Sequence, residues 1–176
     1  VSAFTPVRRW LLPAVLAVVA CSPALNWRQV PLGGLRFSLP CKPDKAQREV
    51  PLAGLSLPLE MQGCEAGGAL FAISRAQVGD ATAVPAVVQA WRASALAALR
   101  AEAGATRPGV APSYAGLPGV ASAQWLHVTG QRPQGGAVQA QLGWLVLGSD
   151  IYHLAVYADH LGADMTEPFF TDISRP

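Results

Sequence analysis

The spacing of apolar positions changes character several times along this chain. Residues 10–20 form an almost unbroken apolar run, and residues 22–33 have no regular period. Strict alternation begins at Leu35. Leu35, Phe37 and Leu39 fall on one face and Arg36 and Ser38 on the other, the two-residue period of a half-buried strand. Cys41-Lys42-Pro43-Asp44 predicts a turn and residues 46–51 a second strand. After Ala53-Gly54, Leu55, Leu57, Leu59 and Met61 alternate with Ser56, Pro58, Glu60 and Gln62. Pro58 cannot donate to a ladder, so an edge position or a bulge is expected there. A turn at Glu65-Ala66-Gly67-Gly68 leads to a fourth strand through Phe71 and Ile73.

The period then lengthens. Val84, Val88, Trp91, Ala95 and Leu99 recur at spacings of three and four, which predicts an amphipathic helix over 83–103. Thr82 is the expected N-cap, Pro85 fits the first turn, and Gly104 is the expected left-handed stop. Residues 104–120, rich in Gly and Pro, are the longest irregular stretch. Three strands follow, through Trp125–Thr129, Val138–Val146 and, after Gly148-Ser149-Asp150, Ile151–Tyr157. A short helix over 164–173 closes the chain by burying Phe169 and Phe170. The order ββββ-α-βββ-α predicts an α+β fold: one antiparallel sheet of about six to seven strands packed against two helices.

The apolar run at 10–20 follows Arg8-Arg9 and ends in Val18-Val19-Ala20-Cys21. A membrane-spanning helix needs roughly 20 apolar residues, so this run is too short to span. A charged start, a short apolar stretch and small residues at a cleavage point are the parts of a secretory signal. The segment resembles the lipobox of bacterial lipoproteins, in which the cysteine receives the lipid. That resemblance implies removal of residues 1–20 and a mature chain starting at Cys21, anchored by fatty acyl chains such as palmitate. Cleavage after Ser22-Pro23-Ala24 is the competing expectation. Residues 21–33 then read as a lipidated N-terminus and tether, and 34–176 as a single domain of ordinary size. Ser22, with no Asp beside the anchor, resembles lipoproteins sorted to the outer membrane, so the periplasmic face of the envelope is the expected location.

Loss of the signal takes two of the 13 basic residues and leaves 11 against 11 acidic ones. No basic stripe remains to bind nucleic acid, which requires clustered Lys and Arg. Three cysteines divide into Cys21 as lipid site and Cys41 with Cys64 as an even pair in an oxidising compartment. A bridge would close a loop of about 24 residues and stabilise the fold by about 3 kcal/mol. Two free thiols forming a redox or metal site are the rival reading, but redox pairs usually sit as Cys-x-x-Cys and zinc needs more ligands.

Phe37-Ser38-Leu39-Pro40-Cys41-Lys42-Pro43 resembles the Phe-x-x-Pro-x-x-Pro entry of PsbP-like and DcrB-like domains. Asp150–Val156 is similar to their penultimate strand, and the helix carrying Phe169-Phe170 to the one that closes that fold. Residues 21–28 resemble uncharacterised proteobacterial lipoproteins. These resemblances bring no catalytic residues and imply an accessory or binding module.

Searching for chemistry adds little. There is no His-Glu-x-x-His, phosphate loop or Gly-x-Ser-x-Gly elbow. His127 and His153, if facing one way, would offer two metal ligands with Asp159 or Asp150, but partly exposed strand histidines are the plainer reading, and no metal or cofactor is expected. Ser149, His153 and Asp150 are too close in a hairpin for the geometry of a hydrolase triad. Tyr114, in the long irregular stretch, is the candidate partner-binding residue, its exposure being hard to explain without a partner. The expectation is a non-enzymatic, membrane-anchored binding, scaffolding or envelope-assembly module with an envelope protein as partner. An envelope enzyme of hydrolase type with an unfamiliar site is the alternative.

Overall fold

The computed structural model describes residues 24–102, 104–109, 114 and 117–176. Ten strands and two helices form an α+β fold with two antiparallel sheets. β1 (Arg28–Leu32) and β2 (Leu35–Leu39) pair as a hairpin, and β10 (Ile173–Ser174) joins β2 to complete a three-stranded sheet. β3 (Asp44–Leu52), β4 (Leu55–Ala66), β5 (Ala69–Gln77), β6 (Thr106–Pro108), β7 (Val120–Gln131), β8 (Ala137–Leu147) and β9 (Asp150–Ala158) form the large sheet, in the order β3-β4-β5-β9-β8-β7-β6.

Alternation along the large sheet feeds two cores, one on each face. On one face α1 (Val84–Ala98) lays Val84, Val87, Val88 and Trp91 among Ala76, Leu126, Leu142, Trp144 and Ile151. The other face is covered by the small sheet and by α2 (Ala163–Thr171). There Leu35, Phe37 and Leu39 share a core with Phe71, Ile73, Tyr152, Leu154, Phe169 and Phe170. The turn of the β1–β2 hairpin docks onto the large sheet through a polar contact. Gly34 donates its backbone N–H to the Tyr152 hydroxyl at 3.2 Å. A Cβ on Gly33 would come within 2.6 Å of the Arg75 side chain, so only glycine fits. Arg75 is held in turn by Asp150 at 2.8 Å and Glu60 at 3.2 Å.

Prolines respect the ladders. Pro31, Pro51 and Pro108 lie in the outer strands β1, β3 and β6. Pro58 lies in an inner strand, but at a point where β4 has only β3 beside it, because pairing with β5 starts at Leu59.

Several boundaries differ from the sequence reading. The segment expected as tether contains β1: Val30 and Leu32 are buried against β2 and its neighbours, so the domain begins before residue 34. A two-residue strand, Ile173–Ser174, replaces the last turn of the expected closing helix, since Ile173 pairs with Phe37. The long helix starts behind a short 3₁₀ turn, Ala81–Ala83, capped by the Asp80 carboxylate, which accepts from the Thr82 N–H at 2.9 Å. It ends at Ala98, well before Gly104. Arg100 takes the left-handed conformation at φ 48°, the Arg100 N–H returns to Ala97 and the Ala101 N–H to Leu96, closing a Schellman motif.

Candidate functional site

Because α1 stops at Ala98, it leaves one end of its sheet face uncovered. A cleft of about 820 Å³ opens there. Ala95, Ala98 and Leu99 form the helix wall, and the β4–β5 turn (Glu65 to Leu70) forms a second. Arg132, Pro133 and Gln134, in the turn after β7, with Val138 of β8, form the third. Leu70 and Tyr157 are direct cross-strand partners in the floor. Leu70, the second residue of β5, is 41% exposed. Burial pushes the Tyr157 phenol above its ordinary pKa, so it is a neutral hydroxyl at physiological pH.

Alanines and glycines supply much of the wall, and two charged side chains line the cleft: Glu65, the cross-strand partner of Leu70 on β4, and Arg132 in the turn after β7. Arg132 is held at the rim by its own turn: one guanidinium nitrogen donates to the Ala137 carbonyl at 2.8 Å and another meets Asp159 at 2.7 Å. Asp159 is 77% exposed, so this pair is solvated and weak. The volume lies within the ~300–1,000 Å³ range of small-molecule sites.

The residues singled out from the sequence do not gather at one site. Cys21 lies outside the described residues. Cys41 and Cys64 are joined by a disulfide with Cα atoms 6.0 Å apart. It fastens the passage from β2 in the small sheet to β3 in the large one. Tyr114 is half-buried: its hydroxyl donates to the Phe170 carbonyl at 3.1 Å, and its ring lies 6.1 Å from that of Trp125. Burial raises its phenol well above the ordinary value.

Register sends His127 and His153 to opposite faces. His127 is exposed on the Trp125 side of β7, whereas His153 lies beneath α1. The His153 ring stacks on Trp144 at 4.6 Å and meets the edge of Trp91 at 5.4 Å. Its Nδ1 lies 3.0 Å from the Gly143 carbonyl, which can only accept, so Nδ1 carries the proton. Asp150 is on the face opposite His153 and is committed to Arg75. Ser149, His153 and Asp150 therefore do not form a relay. Among the described residues no three His, Cys, Asp or Glu side chains come together as metal ligands, and no helix is long and apolar enough to cross a membrane.

The cleft itself was missed by the sequence reading. Of its lining residues only Tyr157 stands among the aromatics that the sequence offers for a groove taking a hydrophobic ligand, and the cleft's existence depends on where α1 ends. Ala69-Leu70 and Tyr157 could not have flagged it without that endpoint. No family model matches the chain, and no characterised protein matches it.

Proposed function

We propose that this chain is an envelope lipoprotein, anchored through Cys21, whose domain is a non-catalytic module that binds an apolar small molecule in the cleft beyond α1. The observation that carries the binding reading is the cleft's chemistry. Its lining is mainly apolar, with the neutral phenol of Tyr157 and two charged side chains, Glu65 on the β4 side and Arg132 on the side of the β7–β8 turn. Such a site binds by apolar burial and offers few groups for acid–base work.

The anchor reading rests on Arg8-Arg9, the apolar run and Val18-Val19-Ala20-Cys21. A disulfide between Cys41 and Cys64 suits an oxidising compartment such as the periplasm. The resemblance of residues 37–43 and 150–156 to PsbP-like and DcrB-like domains agrees with an accessory role. Each buried methylene adds about 0.8 kcal/mol, so a multiply acylated cysteine would hold the domain at the membrane.

Intact mass of the full chain extracted from a bacterial envelope tests the anchor, and a native-spray measurement beside it tests the binding. The expected mass begins at Cys21 plus acyl groups and rises by two hydrogens on reduction, with an apolar small molecule retained in the native run. A mass beginning at Leu25 without lipid would overturn the anchor. Absence of any retained or added apolar ligand would overturn the binding role.

A further inference from the structure

We infer that the cleft is an acyl-chain site served by the membrane itself: it takes a single-chain amphiphile with an anionic head, the tail lying over Leu70 and Tyr157 and the head meeting Arg132. This inference rests on the anchored reading and adds the ligand's class and its source.

Three observations converge on it. The first is the distribution of polarity. The lining is mainly apolar and rich in alanine and glycine, which suits a methylene chain, and its two charges are separated, Glu65 on β4 and Arg132 beyond β8, so an anionic head is directed to the Arg132 side.

The second is the state of Arg132. The carboxylate beside it is exposed, and a separate guanidinium nitrogen donates to the Ala137 carbonyl. A carboxylate or phosphate head can therefore replace Asp159 without rebuilding the turn, and Arg presents paired donors to either group.

The third is where the chain leaves the domain. A Cβ built on Gly67, in the wall of the cleft, would stand 3.1 Å from Leu25 Cδ2. Leu25 packs there from the small-sheet side, so the N-terminal segment departs at the same end of the sheet as the cleft. Cys21 precedes Leu25 by four residues, a span of at most about 14 Å even when fully extended. A lipid on Cys21 therefore keeps this end of the domain close to the bilayer, where single-chain amphiphiles partition.

The test uses the full chain purified from a bacterial envelope and placed in phosphatidylcholine vesicles. These contain a diazirine-bearing palmitic acid, the matching lysophospholipid or the uncharged diazirine-bearing alcohol. After illumination, peptide mass spectrometry locates the cross-links, and intact mass reports on Cys21 in the same sample. Cross-links are expected on the peptides that carry Leu70, Ala95–Leu99 and Tyr157. Leu70→Glu, which removes an apolar contact, and Ala98→Trp, which fills the cleft from its helix wall, are both at exposed positions and should each lower cleft labelling about tenfold. Arg132→Gln should lower capture of the two anionic probes severalfold and leave the alcohol unchanged.

Whichever of the fatty acid and the lysophospholipid labels more strongly identifies the source of the head group. A lipidated Cys21 with labelling scattered over the surface, or indifferent to Leu70→Glu and Ala98→Trp, overturns the acyl-chain site and leaves the anchor standing. An unlipidated Cys21 with strong cleft labelling overturns delivery from the membrane through the anchor.

Discussion

His153 would ordinarily titrate near 6.5, and burial between Trp91 and Trp144 lowers it to about 4, the bond to Gly143 opposing only part of that shift. Between those two values the unfolded chain takes up a proton that the folded chain refuses. Stability is therefore full above about pH 6.5, declines as the pH falls toward 4, and gains no further loss from this group below that. The separation corresponds to a loss on the order of 3 kcal/mol. Urea midpoints measured at pH 7.5, 5.5 and 4 should show this decline. In His153→Phe the stack is kept and the titration removed. The variant should begin less stable, because the Gly143 carbonyl loses its donor, yet depend less steeply on pH across the window. An identical slope in both proteins would mean that other groups set the acid sensitivity. Arg100 is a second residue whose local state predicts an effect. At φ 48° it carries a Cβ in a conformation that glycine adopts freely. Arg100→Gly should raise stability by about 0.5–1 kcal/mol in the same assay. A fall would show that the guanidinium contributes more at the helix end than its backbone costs.

The β7–β8 pair depends on one position. Gly143 stands directly across from Trp125, and a methyl group there would overlap the indole ring. Gly143→Ala should cost about 3 kcal/mol by overpacking. Combining it with Trp125→Leu should cost less than the two single changes added together, because the smaller side chain makes room. Strict additivity in thermal or urea unfolding would rule out the clash as the cause. This pairing also shows where the sequence stops being readable. The alternation through Val138–Val146 identifies β8 and which of its faces is apolar, but not which side chain crosses Gly143. The strands carried by Leu35–Leu39, Leu55–Met61 and Ile151–Tyr157, the stripe of α1 and the cysteine pair were legible for the same reason: each is a local pattern. β1 was not. It has only Val30 and Leu32 as inward positions, separated by Pro31, and its burial comes from partners far along the chain. β10 is two residues long and forms only because β2 offers an edge. Nothing local marks the end of α1 either, since Arg100, Ala101 and Glu102 are all good helix formers. The cleft inherits that illegibility, because its extent is set by the left-handed turn at Arg100.

At the scale of the whole molecule, the large sheet separates two cores that share strands but not side-chain faces. The disulfide belongs to one of them. Cys64 packs with the small-sheet core, and Cys41 fixes the point where the chain crosses between sheets. The cleft belongs to the other, on the side of α1. Reducing the bond frees a loop with a sequence separation of 23 and should remove about 3 kcal/mol, through the entropy regained by the unfolded chain. For a domain of this size that is a fall in Tm of roughly 6–12 °C. The loss should be expressed unevenly. Hydrogen exchange in the reduced protein should quicken in β1, β2 and β10 while amides of α1 and the adjoining β8 keep their protection, because the bond ties the crossover to β4 and not to α1 or β8. Ligand capture in the cleft should then survive reduction at temperatures below the lowered Tm. If exchange accelerates equally in α1 and in β1–β2, the two cores unfold as one unit, and the disulfide supports the cleft as much as the small sheet.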